Sequence, residues 1–150
     1  KSSCRCSTHE IYKYRSKISG PLLDRIDIHI AVPAARYQEL TNTQPAESSA
    51  LIKERVNKAR AIQRERFKGE GILSNALMNH KQVRKFCVLG KEENELLKIA
   101  MTELNFSARA YDKILKVSRT IADLAALEQI KTEHLSEAIQ YRSLDRDFFI

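Results

Sequence analysis

Between Ser107 and Ala125 the apolar side recurs at helical spacing: Tyr111, Ile114, Leu115, Ser118, Ile121, Ala122 and Ala125 fall on one side, and Asp112, Lys113, Lys116, Arg119 and Asp123 on the other. A period near 3.6 held over this length predicts an amphipathic helix, opened by the Ser107 cap, whose apolar face needs other helices to cover it. The flanking segments supply them. Val83, Phe86 and Cys87 predict a short helix ending at Gly90. Glu92 and Glu93, acids that suit the positive end of a helix dipole, lead another with Leu96, Leu97, Ala100, Met101 and Leu104 inward. Thr132 caps a fourth, with Leu135, Ala138 and Ile139 facing in. A small helical bundle follows.

Upstream the pattern changes. Gly69 and Gly71 mark a break, which places an expected domain boundary between 1–70 and 71–150. Ahead of it, Ser48 or Ser49 caps a long helix running to about Phe67. Its apolar stripe, Ile52, Val56, Ala59 and Ile62, is narrow, and Lys53, Arg55, Lys58, Arg60, Arg64 and Arg66 crowd the remainder. A polar linker over Thr41–Ala46 contains Pro45. Before the linker, Ile26, Ile28 and Ile30 alternate with Asp27, His29 and Ala31, which predicts a strand over Ile26–Val32 stopped by Pro33. Thr8–Lys17 reads as a short basic helix. Between helix and strand, Ser19-Gly-Pro-Leu-Leu-Asp-Arg25 mounts an arginine on a tight corner.

The chain carries 26 basic and 19 acidic residues, a net charge of +7, and 43% hydrophobic residues, enough for a core. The excess is local: residues 1–17 hold five bases against one acid, and residues 53–71 hold seven against three. An anionic partner fits this distribution, although a solvated basic face explains it equally. Three cysteines are too few for a disulfide scaffold, and neither a signal peptide nor a long apolar run is present, so a cytoplasmic protein without a membrane span is expected. With Lys1 first and Cys4 and Cys6 close to it, the chain reads as part of something longer.

Arg25 on its corner could simply pair with Asp24 or Asp27. Arg109 is less ordinary, because a cation in the first turn opposes the helix dipole by about 0.3–1 kcal/mol. An anion at that helix start would be held by free N–H groups and guanidinium together, and a nucleotide phosphate fits. Pairing with Asp112 or Glu103 is the open alternative. Cys4-Arg-Cys6, with His9 nearby, resembles half a zinc site, yet by itself it reads as two reduced thiols. Cys87 sits in an apolar run and belongs to the core, and His29, His80 and His134 form no ligand pattern. The four glycines nowhere build a phosphate loop, and there is neither a nucleophile elbow nor an H-E-x-x-H. If the chain serves a nucleotide, it brings arginines to a site whose phosphate cradle and magnesium ligands lie elsewhere.

Several stretches carry a resemblance: Cys4-Arg-Cys6, Y-R-S-K-I-S-G-P-L-L-D-R-I-D over 14–27, V-x-x-A-R-x-x-Q-x-x-R over 56–66, Asn75-Ala76, F-S-A-R-A-Y-D-K-I-L-K-V-S-R-T-I-A-D-L-A over 106–125, and H-L-S-E-A-I-Q-Y-R-S-L-D-R over 134–146. Together they resemble the magnesium-chelatase-like AAA+ ATPases of the YifB/ComM competence-protein type. The resemblance implies a mainly α chain: the end of an AAA+ α/β core, a short strand plus helices, followed by a helical-bundle lid. It implies that Walker A and Walker B lie upstream, so that this piece alone is inactive. Arg25 then matches an arginine finger reaching ATP on a neighbouring subunit, and Arg109 matches the sensor 2 arginine that touches nucleotide. ATP and Mg²⁺ are implied for the whole protein, as are a ring of like subunits, expected to be a hexamer, and a DNA-acting, branch-migration type of motor. Cys4 and Cys6 would be half of a zinc cluster, and the basic flank with Lys53, Arg55, Lys58, Arg60, Arg64 and Arg66 suits a contact to DNA or to a neighbouring subunit. The competing class is a basic helical module that binds nucleic acid or scaffolds a partner without an ATPase role.

Overall fold

A computed structural model describes residues 5–30, 32–33 and 46–142. Helices α1 (Thr8–Arg15) and α2 (Gly20–Leu23) precede the long α3 (Ser49–Arg66). A 3-10 turn (Asn75–Leu77), α4 (His80–Phe86), α5 (Lys91–Glu103), α6 (Ala108–Leu124) and α7 (Thr132–Gln140) complete the order.

Sequence capping signals set several starts. Ser107 Oγ accepts from the Ala110 amide at 3.2 Å, Ser48 caps α3, and Asn79 with Gln82 forms a reciprocal box at α4. Helix α7 starts differently from the expected Thr132 cap: Lys131 is the capping position, and His134 Nδ1 accepts its amide at 3.0 Å. Thr132 Oγ1 instead donates to Glu93 across to α5.

Helix α6 runs through the centre. Ala110, Ile114, Leu115 and Ala122 meet Val83 of α4, Leu97 of α5 and Leu135 and Ala138 of α7, all buried. Each such large side chain contributes about 1.5–3 kcal/mol on burial. Phe67 and Phe86 close one end, edge to face at 5.3 Å. Phe67 lies before Gly69 and Gly71, so the core runs across the expected boundary at residue 70 and takes in the second half of α3. Both glycines hold positive φ, +79° and +72°, which explains their presence in this turn.

Two expectations are corrected. Among the described residues there is no strand. No segment among the described residues pairs with the chain after Arg25 to form a ladder, and its backbone is tied to the bundle: Arg142 Nη1 donates to the Ile26 carbonyl at 2.7 Å, and the His29 amide donates to the Tyr141 carbonyl at 2.7 Å. His29 points inward, while Ile28 and Ile30 are 44% and 66% exposed. The stripe on α3 also fails as a packing edge along its first half. Ala59 and Gln63 are buried, but Ile52 and Val56 stay exposed, because only the second half of the helix reaches the bundle.

Candidate functional site

Arg25 and Arg109, 84 positions apart, line one cleft of about 390 Å³ with Asp24, Asp27, Ala76, Asp112, Lys113 and Lys116. Helix α2 follows Ser19, which makes no side-chain cap, and has Pro21 in its first turn; it turns the chain so that Arg25 leaves it beside the start of α6. Arg109, in the first turn of α6, stands on the same side as Lys113 and Lys116, four and seven residues on.

The carboxylates that could have neutralised these arginines are engaged elsewhere. Asp24 accepts the Ser107 hydroxyl at 3.1 Å and faces Arg142 Nη2 at 3.9 Å. Asp27 pairs with Lys113, whose Nζ also donates to the Arg25 carbonyl at 2.8 Å. Asp112 holds His80 Nδ1 at 3.0 Å. Arg25 is left with a 3.4 Å contact to the Pro21 carbonyl, and Arg109 has no hydrogen bond or ion pair among the described residues. Both side chains are exposed. The alternative pairings, Arg25 with Asp24 or Asp27 and Arg109 with Asp112 or Glu103, do not form among the described residues. At the helix start the Ala110 amide is taken by Ser107 Oγ, whose hydroxyl donates to Asp24.

A second ionic group, centred on a buried carboxylate, lies on the same helix. Asp123, fully buried, accepts Arg66 Nη1 at 2.7 Å, Asn75 Nδ2 at 2.8 Å and Arg119 Nε at 3.1 Å. Arg119 spends its remaining donors on the carbonyls of Leu127 and Glu128. Burial pulls the Arg119 guanidinium below its ordinary value, and Asp123 opposes that pull. The polar side of α6 read from its spacing thus divides: Lys113 and Lys116 line the cleft, whereas Arg119 and Asp123 are interior. Arg66 also leaves the basic face of α3, because its guanidinium is committed to Asp123 and Asn75.

The rest of that face is uneven. Arg55 forks onto Glu47 at 2.7 and 3.2 Å, Lys58 pairs with Glu54, and Arg60 reaches Gln63. Lys53 and Arg64 are exposed and have no carboxylate partner among the described residues. Cys6 is exposed, Cys4 lies outside the described residues, and no group of three metal-type ligands occurs among those described. Burial pushes the Cys87 thiol up to about 12, as expected for an inert core residue. No helix among the described residues is long and apolar enough to cross a membrane.

The family model for magnesium chelatase, subunit ChlI C-terminal, matches residues 46–142. The chain belongs to this family. The matched residues run from just before α3 to Arg142 and include the helical core, Arg109 and the buried Asp123 group. A model for magnesium chelatase, subunit ChlI, matches residues 1–40, which include Arg25. The competence protein ComM of Haemophilus influenzae is 43% identical over 95% of this chain and 27% of its own length. The uncharacterized protein YifB of Escherichia coli is 39% identical over 95% of this chain and 28% of its own length. The chain thus spans little more than a quarter of these curated relatives.

Lys113, Lys116 and Asp24 were not singled out by sequence reasoning. The four- and seven-residue steps from Arg109 were visible signals for the two lysines. The part played by Asp24 was not, because its partners lie 83 and 118 positions away.

Proposed function

We propose that this chain supplies Arg25 and Arg109 to one ATP site of an AAA+ motor, with the nucleotide held by another subunit of the same protein. One observation carries the reading: two arginines from separate segments share a cleft, and the acids beside them are satisfied by other residues. A guanidinium without a carboxylate partner keeps its charge and fork for an arriving phosphate. Shared placement also favours one nucleotide for both arginines, so that if Arg25 acts across the subunit boundary, Arg109 acts across it as well.

When nucleotide is bound, its transferring phosphoryl group develops charge that fixed guanidiniums stabilise. Arg25 and Arg109 would hold that group, and Lys113 and Lys116 would add positive potential at the cleft wall. Asp24, Asp27 and Asp112 are engaged within the chain, so Mg²⁺ accompanying ATP would take its ligands from other residues. In the full-length protein, Arg25→Ala is expected to lower ATP turnover by roughly 10³- to 10⁵-fold with folding intact. Unchanged turnover in both Arg25→Ala and Arg109→Ala would refute the reading.

The assembly we infer is a hexameric ring in the cytoplasm, acting on DNA, with residues 1–40 belonging to the ATPase core and the helical domain starting at α3 rather than at Gly71. Lys53 and Arg64 on the projecting face of α3 support a phosphate contact. DNA affinity should fall with rising salt, and Lys53→Ala/Arg64→Ala should flatten that slope by about two charges. Absence of DNA binding at low salt would remove this part of the proposal and leave the ATP site standing.

A further inference from the structure

Asp24 is the residue immediately before Arg25, and Ser107 is two before Arg109. Their side chains are bonded to each other, Ser107 Oγ donating to Asp24 Oδ1 at 3.1 Å, while the same hydroxyl accepts the Ala110 amide at 3.2 Å and so fixes the first turn of α6. The fully buried Arg142, just beyond α7, faces the same Asp24 oxygen at 3.9 Å and holds the Ile26 carbonyl at 2.7 Å. Lys113 grips the Arg25 carbonyl. Arg25 is therefore bracketed on both sides by contacts to the helical domain, although 83 residues separate Asp24 from Ser107.

We propose that Asp24 is a positioning residue: joined to Ser107 and facing Arg142, it fastens Arg25 to the helical domain, so that Arg25 and Arg109 move as one unit and meet or leave a phosphate together. This rests on the functional reading above. Asp24 need not touch the nucleotide. Its carboxylate completes the start of α6 and seats the corner on which Arg25 stands, and a misplacement of about 1 Å at such a group costs on the order of 10²-fold in rate.

The test compares Asp24→Ala with Asp24→Asn in the full-length protein, measuring kcat and KM for ATP and the thermal midpoint. Both variants remove a negative charge from the cleft wall, but only Asn keeps an acceptor for the Ser107 hydroxyl. Asp24→Ala is expected to lower kcat on the order of 10²-fold with KM changed less than about threefold, and Asp24→Asn to recover about tenfold of that loss. Both variants also remove the acid that faces buried Arg142, so a similar fall in thermal midpoint is expected in the two, and kcat is compared at a temperature where parent and variants are folded. Equal kcat in the two variants would mean that charge alone matters and would overturn the proposal. So would full activity in Asp24→Ala beside an inactive Arg25→Ala. Full activity in Arg25→Ala would instead overturn the functional reading.

Discussion

Arg109 and Arg119 lie ten residues apart on α6, and the helix treats them oppositely. Arg109 stands at the exposed first turn, and Asp112, which lines the same cleft, is engaged by His80. Arg119 is 3% exposed, bonded to Asp123 and closed off by the carbonyls of Leu127 and Glu128. One guanidinium has no partner among the described residues, and the other is bonded within the fold. The same residue type on the same helix thus serves two ends, and what differs is whether the neighbouring carboxylate is left available. At the cleft every acid is diverted away from the arginines; in the interior one acid gathers two of them.

The sharpest way to break this contrast is at the cleft. Arg109→Ala should leave the thermal midpoint unchanged yet lower ATP turnover in the full-length protein by at least about 10²-fold, the loss associated with removing one preorganised donor to a developing charge. A shift in the midpoint without loss of turnover would place Arg109 with the structural group instead.

The next largest effect lies in the interior. Asp123→Ala leaves Arg66 and Arg119 facing each other without their shared acceptor, and breaking a buried pair in this way costs about 3–5 kcal/mol. Denaturant unfolding of this chain would read it as a lower midpoint at unchanged slope. A cost below about 1 kcal/mol would mean that water reaches the group and that the division between reserve and structural arginines is wrong.

The smallest effect tests how Arg119 earns its burial. Helix α6 ends with Ala126 at φ +56°, where the Leu127 amide bonds the Ala122 carbonyl and the Ala126 amide bonds that of Asp123. An alanine in this left-handed conformation is strained, and Arg119 holds it there by gripping the next two carbonyls. Ala126→Gly should relieve the strain, for a net gain of about 0.5–1 kcal/mol after allowing for the freer unfolded chain. A loss of stability would show that the alanine methyl contributes packing that outweighs the backbone cost.

Local signals carried much of this fold to the surface of the sequence. Ser107 opens α6 where its side chain predicted, and Ile114, Leu115 and Ala122 face inward as their spacing required. Arg25 and Arg109 were legible as unusual residues one at a time, one on a punctuated corner and one against a helix dipole. Their shared cleft was not legible, because it depends on contacts such as Ser107 with Asp24 that span most of the chain. No strand forms among the described residues of 26–32 for a related reason: alternation describes a segment's faces, but a strand exists only where another backbone pairs with it. Polarity misplaced Arg119 and Asp123 too, since a buried charge is permitted only when a partner from elsewhere, here Arg66, arrives to meet it.

Helix positions, their caps and the apolar faces that bring them together were determined by the sequence itself, because each rests on interactions within three or four residues. Which arginine would be spent on the fold and which kept available was decided only in the tertiary structure. That outcome turns on where each carboxylate finds its partner, and those partners lie up to 118 residues away.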